Sequence, residues 1–219
     1  MNALAGRDEG LGVGMHEPAH VIAQRSGGVD DDARRRAKLA SALEVARDNP
    51  VNEAVGVASQ FLTKGDEPWL FMVDTDMVFE PGLLGRLAAT CDEVERPIVS
   101  GVYWTTTAGG WPLVPVIYDR EERDGQQTFT HCREWKAGSV ITVDGCGAGC
   151  LLIHRSVFET IRKDEGGAPC WWAEITDGKG SGFGEDLSFC LRAAHAGYRI
   201  TADTVAVPGH VKPVTLTGP

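Results

Sequence analysis

No stretch of about 18 consecutive apolar residues occurs in this 219-residue chain, so no segment reads as a membrane-spanning helix. The N-terminus lacks the basic-then-apolar order of a secretory signal, and a cytosolic location is the expectation. Basic residues are in deficit: 21 Lys and Arg against 31 Asp and Glu leave a net charge of −10. That balance argues against nonspecific binding to nucleic acid or anionic membrane, although an enzyme that touches DNA locally is not excluded. Cysteine occurs six times, but Cys146 and Cys150 are spaced CxxxC, and Cys91, Cys132, Cys170 and Cys190 are scattered. This is neither zinc-ribbon spacing nor a compact disulfide framework, so free thiols are expected. Internal repeats and low-complexity linkers are absent. What remains is a 23.5 kDa chain with 42% hydrophobic residues, enough for one α/β domain over residues 1–219 with its own core.

Against that background, Trp69 to Val73 is an apolar run that ends abruptly in Asp74-Thr75-Asp76. Alternate side chains of a strand share a face, so carboxylates at i and i+2 would point the same way and make half of a cation site. Ligands of open α/β sheets gather beyond the carboxyl ends of strands, a position that suits a metal holding a phosphorylated ligand. A plain surface turn explains the same residues, since Asp and Thr are ordinary turn formers.

Along the chain, residues 1–28 are Gly-rich and irregular, with only Met15 to Ile22 moderately apolar. Asp30-Asp31-Asp32 precedes Ala33 to Ala46, where Ala33, Ala37, Ala40 and Leu43 recur at helical spacing, which predicts a helix. A second helical stretch, Glu53 to Leu62, leads into the strand at Trp69. Pro81 opens a helix to about Cys91 whose Leu83, Leu84 and Leu87 would cover the sheet. Ile98 to Tyr103 reads as a buried strand, followed by strands at Leu113 to Tyr118, Thr128 to Trp135 and Ser139 to Val143, with a turn at Glu121 to Gln126. Cys146-Gly147-Ala148-Gly149-Cys150 precedes a strand at Leu151 to Ile153. Ser156 and Glu159 form a capping box for a short helix. Glu185 to Ala196 is helical, with Leu187, Cys190, Leu191 and Ala194 on one face and Gly197 as its stop. Short strands are expected at Tyr198 to Ala202 and Val205 to Val207.

Several further residues bear on chemistry. Glu185-Asp186 opens the last helix, where the helix dipole favours carboxylates whatever the function; one of them could equally project into a cleft and take a proton from a hydroxyl. His210 lies in a loop stiffened by Pro208 and Pro213. A loop histidine is ordinarily solvated, yet imidazole is also the commonest nitrogen ligand, and two Asp with one His suit Mn²⁺, or Mg²⁺ less specifically. Lys212 would lie beside phosphate oxygens or simply on the surface. Gly147 and Gly149 let the backbone approach a ligand, or mark a bulge before a core strand. Trp171 and Trp172 offer aromatic faces for sugars or bases, one expected in the core and one lining a cleft; Trp104 and Trp111 are weaker candidates for that role.

Taken in order, the Asp74-Thr75-Asp76 strand end, the Gly147/Gly149 segment, Gly184-Glu185-Asp186 running to Gly197-Tyr198-Arg199-Ile200, and the late His210 resemble the GT-A glycosyltransferases. The resemblance is to inverting, family 2-like members, including small versions encoded by bacteriophages, and covers roughly residues 47–213. It implies a Rossmann-like mixed sheet flanked by helices, and metal-dependent transfer of a sugar from a nucleotide-diphosphate sugar to an acceptor hydroxyl. Carried over by position, it makes Asp74, Asp76 and His210 the Mn²⁺ or Mg²⁺ ligands, with Asp74 also near the nucleotide ribose. Asp186 becomes the catalytic base and Glu185 an acceptor-orienting neighbour. Arg47 and Asn49 fall near the nucleotide, with Gly147, Gly149 and Lys212 around the donor and Trp171 and Trp172 at the acceptor. One departure stands out: residues 1–14, with Gly6, Gly10, Gly12 and Gly14, do not read as the family's opening apolar strand, which is therefore expected to be short or missing.

The chemistry is coherent on its own terms. A leaving diphosphate gathers negative charge as the sugar C1–O bond breaks, and a divalent ion neutralises it. Two rivals remain. A nucleotidyltransferase also uses paired aspartates, but it calls for a basic Gly-rich loop near the N-terminus, and Gly10 to Gly14 lacks the basic residues. A non-catalytic sugar-binding module on the same fold would bind sugars without metal dependence.

Overall fold

The computed structural model describes residues 20–25 and 38–41, for which only the backbone is considered, and residues 58–59, 61–63, 67–107, 111–123, 126–167, 170–176 and 182–212. The strands are β1 (His20–Arg25), β2 (Lys38–Ser41), β3 (Trp69–Val73), β4 (Met77–Val78), β5 (Ile98–Gly101), β6 (Trp104–Thr106), β7 (Leu113–Pro115) and β8 (Ile117–Arg123). They continue with β9 (Gln126–His131), β10 (Val140–Val143), β11 (Gly145–Cys146), β12 (Cys150–His154), β13 (Ile175–Thr176), β14 (Gly182–Phe183), β15 (Ile200–Asp203) and β16 (Gly209–His210). The helices are α1 (Leu83–Thr90), α2 (Arg155–Asp164) and α3 (Glu185–His195). None of the described helices is long and apolar enough to cross a membrane.

A seven-stranded sheet in the order β10-β15-β5-β12-β3-β1-β2 forms the centre. β12 runs antiparallel to both β3 and β5, and β15 runs parallel to β5, so β3, β5 and β15 all point the same way. Their carboxyl ends share one edge with the start of β12, because Val73 pairs with Cys150 and Gly101 with Asp203. The architecture is mixed α/β and Rossmann-like in this respect.

Strand alternation divides the core in two. Leu70, Met72, Ile98, Leu151 and Ile153 face one side, packed with Val157, Phe158 and Ile161 of α2 and Phe189, Cys190 and Ala193 of α3. Phe71, Val73, Val99, Cys150 and Leu152 face the other, covered by Leu83, Leu84 and Leu87 of α1. Period-two burial with helices on both faces is what such near-continuous apolar strands require. Buried Asp203, at the end of β15, accepts hydrogen bonds from Arg86 Nε (2.7 Å) and Thr90 Oγ1 (2.5 Å), tying α1 to the sheet edge. All six cysteines are free.

Several expectations need correction. Residues 1–14, where the opening strand was sought, lie outside the described residues; the first described strand, β1, pairs antiparallel with β3, Ile22 opposite Phe71. Lys38–Ser41, within the expected Ala33 to Ala46 helix, is instead the edge strand β2 paired to β1; sheet pairing overrides the local alanine spacing. The Ser156 capping box gives way to His154 as the N-cap of α2. Because β12 runs directly into the helix, the His154 imidazole accepts the Ser156 N–H. On α3 the buried residues are Ser188, Phe189, Cys190 and Ala193, so of the expected Leu187, Cys190, Leu191 and Ala194 face only Cys190 is fully buried and the packed face is turned toward Phe189. Val205 to Val207 is not a strand; Val205 and Val207 are exposed. The expected turn at Glu121 to Gln126 is tighter, since β8 runs to Arg123 and β9 starts at Gln126.

Candidate active site

The shared sheet edge gathers most of the chemistry. β3 ends at Val73, and Asp74 continues it far enough for its N–H to donate to the Gly149 carbonyl (3.3 Å). A turn closed by the Met77 N–H on the Asp74 carbonyl (3.1 Å) then presents Asp76. The turn reading and the ligand reading of Asp74-Thr75-Asp76 are thus compatible. The β4–β16 ribbon pairs Met77 with His210, and the Val211 N–H donates to the Asp76 carbonyl (2.8 Å). Two segments 134 positions apart are thereby locked side by side.

Their side chains meet on one atom. Asp76 Oδ2 lies 3.1 Å from His210 Nε2 and 2.8 Å from Lys212 Nζ. Against a burial that would raise it, the Lys212 hydrogen bond and the neighbouring His210 and Lys212 charges hold the Asp76 carboxyl below its ordinary value. Asp74 moves the other way, raised first by the protein packed around it and then by the Asp76 charge, with His210 and Lys212 opposing. His210 is 9% exposed, its ring edge-on to Tyr103 at 5.2 Å and its Nδ1 3.0 Å from the Trp104 carbonyl.

These residues suit a divalent ion in part. Both ring nitrogens face acceptors, Nδ1 the Trp104 carbonyl and Nε2 the Asp76 carboxylate; with Nδ1–H donating to the carbonyl, as in buttressed metal-binding imidazoles, Nε2 would be the nitrogen that an ion takes in place of its hydrogen bond to Asp76. At 3.1 Å, Nε2 and Oδ2 are close enough to reach one ion at roughly 2.1 Å each. Among the described residues, however, no three His, Cys, Asp or Glu side chains form a complete metal cluster. An ion held here would take its other ligands from water and a bound phosphate, as Mg²⁺-type ions commonly do.

Gly147 and Gly149 form the floor beside Asp74. A Cβ on Gly147 would collide with the Tyr103 hydroxyl and approach Val116 Cγ1 at 2.7 Å, and one on Gly149 would meet Asp74 Oδ2 and Tyr103 Oη at 3.0 Å. The close approach lets Gly149 N–H donate to Tyr103 Oη (3.2 Å). Burial first, then the Asp186 and Asp74 charges, push the Tyr103 phenol far up, so it stays neutral. Asp186, in the first turn of α3, accepts a hydrogen bond from the Ala148 backbone. Burial nevertheless raises its pKa to about 7, with Glu185 and Asp74 adding to the effect. The α3 N-terminus is held there by Cys190 Sγ against the Cys146 backbone and by Leu187 beside Gly145.

Two assignments change. Trp171 and Trp172 are 0% and 1% exposed, so neither lines a cleft. They sit in a turn closed by the Ala173 N–H on the Cys170 carbonyl, not on a strand, and both rings therefore point into the core against Phe158. Trp104 is 39% exposed, 6.2 Å from Trp135, on the segment that anchors His210. Arg47 and Asn49 lie outside the described residues. Tyr103 was not anticipated as a site residue; its position at the end of the β5 segment, on the edge that already carried Asp74, was the available signal.

No protein-family model and no curated protein matches the chain. Among solved structures, the crystal structure of A197 from STIV is similar at 19% sequence identity and a TM-score of 0.45, covering 74% of this chain and 68% of that one. So remote a likeness carries no weight for activity.

Proposed function

We propose that the protein is a metal-assisted, inverting glycosyltransferase of the GT-A, family 2-like kind, acting in the cytosol on a nucleotide-diphosphate sugar. The observation that supports this most is the convergence of Asp76, His210 and Lys212 on one oxygen, on the same sheet edge as Asp74 and Asp186.

Asp76 and His210 hold Mn²⁺ or Mg²⁺, with Asp74 beside them or at the ribose. When bound, such an ion stabilises the charge of the departing diphosphate, typically by several kcal/mol. Lys212 pairs with phosphate oxygens, while the open backbone at Gly147 and Gly149 accommodates the donor. Arg47 and Asn49 serve the nucleotide. Asp186 takes the acceptor hydroxyl proton as the new C1–O bond forms on the face opposite the breaking C1–O bond to diphosphate, which inverts the anomeric carbon. A pKa of about 7 keeps Asp186 available as a base near neutrality. Glu185 orients the acceptor, and Trp104 takes over the aromatic wall expected of Trp171 and Trp172.

Isothermal titration of UDP- and GDP-sugars, with and without Mn²⁺, tests the reading. Metal-dependent binding with slow hydrolysis is expected. Sugar binding that ignores the metal would point to a non-catalytic module instead.

A further inference from the structure

We infer that the acceptor is a sugar, and that Tyr118 and His131 on the β8–β9 hairpin hold it for Asp186. The inference rests on the transfer reading above and deepens it, naming the acceptor class and the groups that recognise it.

A continuous wall joins the two ends of the site. On the His210 side, the Trp104 carbonyl lies 3.0 Å from His210 Nδ1, and Trp104 pairs with Pro115 across β6 and β7. On the Asp186 side, Gly145 pairs with Tyr118, and a Cβ on Gly145 would meet Leu187 Cδ2, in the first turn of α3, at 2.8 Å. The hairpin closes the gap between them. Tyr118 stands opposite His131 in the β8–β9 register, and His131 Nδ1 lies 2.7 Å from the Pro115 carbonyl.

Two polar ring atoms on this wall lack partners. The Tyr118 and His131 rings lie with centroids 4.8 Å apart, tilted by 35°, and both residues are half-buried. The Tyr118 hydroxyl has no hydrogen-bond partner among the described residues. A carbonyl only accepts, so the neutral His131 ring donates from Nδ1 and leaves Nε2 as an acceptor, likewise without a partner among the described residues. Burial first, and then the Asp186 charge, raise the Tyr118 phenol, in keeping with its place beside the base. Polar groups that a ligand covers without pairing cost affinity. A lone alcohol such as a serine side chain can bring its hydroxyl to Asp186, but it leaves Tyr118 and His131 unpaired. A sugar ring carries further hydroxyls next to the reacting one and an apolar C–H face for the aromatic rings, so it can pair both.

The test follows release of nucleoside diphosphate from the best of the UDP- and GDP-sugars with Mn²⁺, by wild type, Tyr118→Phe and His131→Gln. The acceptors added are methyl glycosides of glucose, galactose and mannose, their monodeoxy forms, a peptide containing serine and threonine, and glycerol. At least one glycoside should accelerate release by wild type, and the peptide and glycerol should not. The KM for that glycoside should rise roughly two- to tenfold in Tyr118→Phe, the range for one neutral hydrogen bond, and should also rise in His131→Gln. One monodeoxy form should show the same loss with wild type and no further loss with Tyr118→Phe. A purely structural tyrosine would not erase discrimination at a single hydroxyl. Acceleration by the peptide or glycerol alone, acceleration by nothing in the panel, or a wild-type KM in either variant overturns the inference while donor cleavage stands. If no UDP- or GDP-sugar releases nucleotide under any of these conditions, the transfer reading itself falls, and the inference with it.

Discussion

Asp186 sits in the first turn of α3 with its carboxyl pushed up to about 7 by burial and by the neighbouring Glu185 and Asp74 charges. Two measurements follow from that one residue. As the base, it should make kcat climb with pH below about 7 and level off above. Asp186→Asn should lose that limb and about 10²–10⁴ in rate while still binding donor. Stability runs the opposite way. The folded pKa lies above the ordinary 3.8, so the native state binds the extra proton, and stability drains away as pH rises from about 4 to about 7. Asp186→Asn removes that loss, and its urea midpoint should gain on wild type between about pH 4.5 and about pH 8. A constant gap across that range would place the carboxyl in an ordinary environment. At this scale the approach of Asp76 and His210, 134 positions apart, was legible because an acidic strand end and a late imidazole suggest one shared edge. Tyr103 was not, since its role depends on glycines more than 40 positions away.

The Gly147–Gly149 segment shows how an element can be fixed by a collision that never occurs. Gly147→Ala would drive a methyl group into the Tyr103 hydroxyl and Val116, and should cost roughly 1–3 kcal/mol by urea denaturation. Adding Tyr103→Phe should recover part of that cost, because the nearest clashing atom is gone; strict additivity of the two substitutions would refute the contact. Apolar strands such as Trp69–Val73 were legible element by element, with the bounds given by the residues themselves. Helical spacing failed where the sheet had another use for the segment, at Lys38–Ser41. It was right for only Cys190 of the expected α3 face, because the helix is oriented by Cys190 on Cys146 and Phe189 on Trp172 at 5.2 Å, contacts that a single-helix pattern does not contain.

Across the whole molecule, Trp171 and Trp172, expected at the acceptor with one of them in the core, both pack with Phe158 and Phe189 in one buried aromatic cluster. Adjacent tryptophans suggested a divided pair, but a turn sends both inward, where Trp171 Nε1 donates to the Phe158 carbonyl at 2.9 Å. Trp172 Nε1 is buried with no hydrogen-bond partner among the described residues, so its ring is held by packing. Trp172→Ala should therefore destabilise the fold by about 3–5 kcal/mol while leaving acceptor KM unchanged in the folded protein. A raised acceptor KM at unchanged stability would return Trp172 to the cleft. The mixed α/β class was legible from alternating strand and helix patterns, whereas β1 was hidden by its weak apolar character.

The central claim is that one sheet edge assembles a metal-assisted sugar-transfer centre from Asp74, Asp76, Asp186 and His210. Its most direct test is release of nucleoside diphosphate from a panel of UDP- and GDP-sugars, with Mn²⁺ or with chelator, by the wild-type protein, Asp76→Asn and Asp186→Asn. Release by wild type with Mn²⁺, lost on chelation and in both variants, is the expected result. Release that persists in chelator, or in both variants at the wild-type rate, would contradict it.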